Sequence, residues 1–144
     1  MEIVINKCWG GFSISVAAAK FMAKRGHKQA AAEVAEWEIK KTWVKQFKKT
    51  GKWPEEAKYE IGSLEIDIKY NNPPHFFGYG YIEGFSGGYE RTDPVLVEAV
   101  ENLGKKANGS HAFLSVVEIP DGVEYKIENY DGRESIHEKH QSWG

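Results

Sequence analysis

Ile3-Val4-Ile5-Asn6-Lys7-Cys8-Trp9-Gly10-Gly11-Phe12-Ser13-Ile14-Ser15 carries the reading on which the fold turns. Three consecutive β-branched residues form an unbroken apolar run, the pattern of a strand covered on both faces, and predict a central strand over 2–7. Gly10-Gly11 ends it. Ser13 and Ser15 are both candidate N-caps, since a serine hydroxyl accepts from the first free N–H groups of a helix. Ala17, Ala18 and Ala19 then favour helix over roughly 16–25, and Gly26 supplies a stop. A buried strand running through a glycine turn into a helix calls for a sheet with helices beside it.

The remaining elements follow outward from that unit. A second helix is expected over about 28–50, with Val34-Trp37-Val44 and Ile39-Trp43-Phe47 as adjoining apolar stripes and Gly51 as its stop. Its glutamates (Glu33, Glu36, Glu38) come early and its lysines (Lys40, Lys41, Lys45, Lys48, Lys49) late, which complements the helix dipole. Residues 63–70 alternate, with Leu64, Ile66, Ile68 and Tyr70 against Glu65, Asp67 and Lys69, and predict a half-buried strand. Asn71-Asn72-Pro73-Pro74 reads as a turn and 75–83 as the returning strand. Asp93-Pro94 opens a helix, with N-cap followed by proline at the first helical position, and Leu96, Val100 and Leu103 are its buried stripe. Strands are expected over 111–119, 123–129 and 133–138, the last two joined by Asp131-Gly132, a two-residue hairpin signal. The order predicts a single α+β domain over 1–144, with three helices packed mainly on one face of a mixed or antiparallel sheet of five to six strands.

At 144 residues, with 41% hydrophobic and 28% charged, the chain can bury a core without covalent staples. Its formal charge of −2 argues against a protein that coats nucleic acid, which is usually strongly basic. The lone Cys8 can form no intrachain disulfide, and no apolar run approaches the roughly 18 to 20 residues that span a bilayer. The apolar start ends at Asn6-Lys7, too short for a signal peptide. A cytoplasmic protein with no membrane partner is the expectation, and a homo-oligomer stays open.

Four constellations carry candidate chemistry. Asn6, Cys8, Gly10, Gly11, Ser13 and Ser15 surround a strand–turn–helix junction, where backbone N–H groups and the helix dipole favour a phosphate. The spacing is neither a Walker motif nor a dinucleotide fingerprint, and a tight turn with an ordinary serine cap is the favoured explanation over a phosphate site. Cys8 would need a nearby imidazole (His27, His75, His111, His137 or His140) to act as a nucleophile. Arg91, after a glycine-rich segment, has the fork to clamp a phosphate, while Asp93 is better read as a helix cap. Glu134, Glu138 and His140 fall on one strand face, yet no zinc-type spacing accompanies them, so neither metal nor cofactor is expected. Phe77, Tyr79, Tyr81 and Tyr89 form an aromatic ladder suited to a partner protein, to base stacking beside Lys40–Lys52, or simply to core.

The segments Ile3–Cys8 with Gly10-Gly11-Phe12, Arg91-Thr92-Asp93-Pro94 through Leu103-Gly104, Val117-Glu118-Ile119-Pro120-Asp121 and Tyr130-Asp131-Gly132-Arg133-Glu134 resemble, in order, a family of small proteins encoded by phages and prophages. Residues 27–89 have no counterpart in that resemblance. It implies a viral accessory protein but transfers no catalytic residue. The functional expectation is a non-enzymatic protein that sequesters a phosphate-bearing small molecule or engages a host protein. A nucleotide- or phosphodiester-processing enzyme is the alternative, and a nucleic-acid-binding module the third.

Overall fold

The computed structural model describes residues 1–74, 76, 78, 79 and 89–139. In chain order its elements are β1 (Glu2–Asn6), β2 (Ser13–Ile14), α1 (Val16–Lys24), α2 (Lys28–Thr50), a 3-10 turn (Glu55–Ala57), α3 (Ile61–Lys69) and β3 (Gly78–Tyr79). There follow α4 (Pro94–Leu103), a second 3-10 turn (Gly104–Ala107), β4 (Leu114–Glu118), β5 (Tyr125–Tyr130) and β6 (Arg133–Glu138). This is one small α+β domain. Among the described residues there are four helices and three two-stranded antiparallel ladders, β1–β4, β2–β3 and β5–β6, in place of the expected three helices and single sheet.

β1 and β4 divide the interior. Cross-strand partners point to the same face, so the register Val4↔Val116 and Ile3↔Val117 sorts residues by side. Val4 and Val116 pack into the helical core with Leu96 and Val100 of α4, Met22 of α1 and Ala30 of α2. Ile3, Ile5 and Val117 face the other way, toward the β5–β6 hairpin. The far edge of β1 is held by the residue 89–91 segment, where the Val4 N–H donates to the Arg91 carbonyl at 2.8 Å.

The helix ends behave as their sequences predict. Ser15 caps α1, its Oγ accepting from the Ala18 N–H at 3.0 Å, and Asp93 caps α4 through the Val95 N–H at 2.8 Å. Gly51 closes α2 in the left-handed region that glycine enters at no steric cost. The cap of α2 is an imidazole: His27 Nδ1 accepts from the Ala30 N–H at 3.1 Å, while Nε2 lies 3.0 Å from Asp93 Oδ2. One histidine therefore joins the starts of two helices. Val34, Trp37, Trp43, Val44 and Phe47 are half-buried along α2, as the stripes require, but Ile39 is exposed.

Residues 63–70 are a correction. They form most of α3, not a strand. Ile61, Leu64 and Ile68 are also spaced i, i+3, i+7, and this stripe prevails: Leu64 and Asp67 are buried while Ile66 is 57% exposed. Alternation had placed Ile66 inside and Asp67 outside. Of the returning strand expected over 75–83, Gly78 and Tyr79 pair with Ile14 and Ser13, Phe76 is half-buried outside any strand, and the rest lies outside the described residues.

Tyr89 is almost wholly buried in the core, stacked on His27, and donates its hydroxyl to Glu33 Oε2 at 2.7 Å. Burial and the Glu33 carboxylate hold the phenol well above its ordinary pKa. Burial likewise raises the Glu33 carboxyl, opposed by the hydrogen bonds from Tyr89 and Gln29. An acid with a raised pKa stabilises the fold most when protonated, and that contribution is lost as pH rises through the carboxylate range. Glu33→Gln mimics the protonated acid and still offers Tyr89 an oxygen. It is therefore expected to raise Tm at pH 7, with the difference closing below about pH 4 in a pH series of thermal melts.

Candidate functional site

The site is built where the last residue of β1 meets the C-terminal hairpin. Asn6 is fully buried. Its backbone N–H donates to Glu134 Oε1 at 2.8 Å. Its Nδ2 donates to the carbonyls of Cys8 and Gly132, each at 2.7 Å, and its Oδ1 accepts from the N–H groups of Cys8 and Phe113. One side chain thus ties together the 6–8 turn, the start of β4 and the tip of the β5–β6 hairpin. Asn6 is a structural clamp with its donors and acceptors committed.

Glu134 is buried too, and Arg91 meets it fork to fork: Nη1 with Oε1 at 2.5 Å and Nη2 with Oε2 at 2.8 Å. The guanidinium also lies over the Phe12 ring, 3.7 Å from its centroid, and Nη1 is 3.4 Å from the Val4 carbonyl. The fork of Arg91, foreseen as a clamp for a ligand, is engaged with a carboxylate of the chain itself.

The glycine turn is braced by backbone. A Cβ on Gly132 would strike the Trp9 carbonyl and the Gly11 nitrogen, and one on Gly10 would strike His111. Asp131 and Gly132 both have positive φ, the conformation of a tight two-residue hairpin turn, and Asn129 Oδ1 accepts the Gly132 N–H at 2.8 Å. The hairpin tip is therefore seated on the 9–11 turn, which leaves the Trp9 side chain 55% exposed.

Between these walls lies an open groove of about 550 Å³. Ile5, Val117 and Ile136 give it an apolar floor, and Lys7, Trp9, Tyr130 and Arg133 stand around it with Ser135 and the edge of Glu134. Trp9 meets Tyr130 edge-on with ring centroids 5.8 Å apart, and the Arg133 guanidinium sits 5.7 Å from the Trp9 ring. Neither Lys7 nor Arg133 forms an ion pair among the described residues, and the lining carboxylate, Glu134, is already matched by Arg91. The groove therefore carries two positive charges with no counter-charge of its own.

The other foreseen residues fall elsewhere. Ser15 Oγ, besides capping α1, donates to the Lys106 carbonyl, and the Ser15 N–H donates to Ala107, so this helix start is closed by the chain. Ser13 pairs with Tyr79 in β2–β3 and packs against Gly109. Cys8 is exposed at the rim of the turn, and among the described residues no imidazole hydrogen-bonds it. Tyr89, proposed for a stacking surface, is core because its ring fills the space beside His27. Only the backbone of Tyr79 is described, and Phe77, Tyr81, His75 and His140 lie outside the described residues.

Within the β5–β6 hairpin, Ser135 Oγ and Glu128 Oε2 both approach His137 Nε2, at 2.9 and 3.2 Å. A relay needs the acid on the opposite ring nitrogen, so this trio is not arranged as a nucleophile, base and orienting acid. Among the described residues no group of three histidines, cysteines or carboxylates is disposed to hold a metal ion, and no helix is long and apolar enough to cross a membrane. Comparison with protein-family models, with curated proteins and with solved structures found no match to this chain.

Glu134→Gln leaves the Arg91 charge buried without its counter-charge. Removing one partner of a buried pair costs about 3–5 kcal/mol, and that loss of unfolding free energy is expected in urea denaturation.

Proposed function

We propose that this chain is a non-enzymatic accessory protein of phage or prophage origin that captures a phosphate-bearing small molecule in the groove between β1–β4 and the β5–β6 hairpin. The observation that carries this is the charge arrangement. Two cations, Lys7 and Arg133, flank a concavity whose carboxylate is already neutralised by Arg91. An anion entering there meets uncompensated positive charge beside apolar walls, where ion contacts are less screened than on an open surface.

The shape favours a small molecule over a host protein. A volume near 550 Å³ falls in the range of sites that enclose drug-sized ligands, roughly 300–1,000 Å³. The mixture of apolar floor and a few charged groups is also that of a ligand cleft. The absence of an aligned nucleophile–base pair at the groove, among the described residues, is why capture is preferred to turnover.

The test is isothermal titration against a panel of phosphate-bearing metabolites, with wild type beside Arg133→Gln and Lys7→Gln. A charge-assisted hydrogen bond contributes about 1.5–3 kcal/mol, so each substitution is expected to weaken binding about tenfold or more. Tm should stay nearly unchanged, since neither residue holds the fold by an ion pair. Unaltered affinity in both variants would remove the groove from the mechanism.

A further inference from the structure

Resting on that reading of the groove, we infer that its ligand is a nucleoside monophosphate taken without regard to the identity of the base. Three observations point there. First, the groove is far larger than a phosphate group needs, so the bound molecule has a second, bulkier part. Second, that part meets Ile5, Val117 and Ile136 below and two exposed aromatic rings at the sides. Trp9, in the 9–11 turn, and Tyr130, at the end of β5, are 55% and 77% exposed, an arrangement that burial in a core does not explain. Flat apolar walls with exposed π-faces fit a planar ring, and base–aromatic stacking is tolerant of sequence because every base has a π-face.

Third, the groove is poor in groups that read a base edge. Distinguishing bases requires donors and acceptors placed against their Watson–Crick or Hoogsteen edges. Asn6, the amide beside the groove, has both ends committed to backbone, and Glu134 accepts from Arg91 and from the Asn6 N–H. Besides the Tyr130 hydroxyl and the Trp9 indole N–H, the neutral polar group in the lining is Ser135, and its hydroxyl is shared with His137. The phosphate belongs with Arg133 and Lys7. Arg133 lies over the Trp9 ring, 5.7 Å from its centroid, so a base stacked on the other face of that ring would keep its phosphate near the guanidinium.

The experiment is titration of the full chain with adenosine, guanosine, cytidine and uridine 5′-monophosphates, ribose 5-phosphate, adenosine, and a 5′-phosphorylated trinucleotide. The four monophosphates are expected to bind within about fivefold of one another, and ribose 5-phosphate at least tenfold more weakly. Trp9→Ala should weaken the monophosphates about tenfold without altering ribose 5-phosphate, while Trp9→Phe retains most of the affinity. Equal binding of ribose 5-phosphate and the monophosphates would overturn the stacking inference and leave the phosphate site standing. Failure of every phosphate compound to bind would overturn both. A trinucleotide bound more than tenfold tighter than any monophosphate would overturn the free nucleotide as the ligand and assign the groove to a strand end. Preference for one base beyond about tenfold would overturn the lack of selectivity.

Discussion

The architecture depends on a charge taken out of water. Glu134 sits in β6 with Arg91 against it and the Asn6 amide donating into it, so three segments distant in sequence share one carboxylate. Isolated, that carboxylate would be far too costly to bury. Matched fork to fork, its cost is offset by short charge-assisted bonds, and the geometry tolerates no slippage of β6 along β1. Asn6 extends the same logic to neutral groups, holding the hairpin tip, the glycine turn and the approach to β4 from a single position.

That constraint separates positioning from recognition. The residues that build the groove (Asn6, Glu134, Arg91) are buried and mutually satisfied, while those that line it (Lys7, Trp9, Tyr130, Arg133) come from the two turns and the strand ends beside them. A binding surface made of loop tips is normally mobile. Here the two tips are locked against each other through backbone contacts too close for any side chain at Gly132. Rigid presentation of exposed rings lowers the ordering cost of binding.

The local signals in the sequence were legible. Ser15, Asp93-Pro94, Gly51 and Asp131-Gly132 each act through their immediate neighbours, and each sits where its chemistry predicts. The apolar run Ile3–Ile5 correctly announced a strand covered on both faces. What failed was choice between two local patterns: residues 61–70 carry both an alternating and a helical stripe, and burial of Asp67 shows which one the tertiary structure used. The structure commits Arg91 and Asn6 to groups of the chain itself, which neither position announces, because a carboxylate 43 residues away and a hairpin 126 residues away are not visible from either. The groove residues were missed for the same reason. Their trace was a large aromatic or cation flanking each glycine turn, Trp9 before Gly10 and Tyr130 and Arg133 around Gly132.

The clamp at Asn6 also has a temporal side. Its partners span residues 8 to 134, so on a ribosome the first strand emerges long before the hairpin that completes its hydrogen bonding. Until β6 is made, the Asn6 N–H and side-chain amide lack their partners Glu134 and the Gly132 carbonyl, and the groove lacks one of its walls. Contacts of such sequence separation form late and slowly. The groove is thus a feature that nascent chains do not possess: it is complete only once the β5–β6 hairpin has been made.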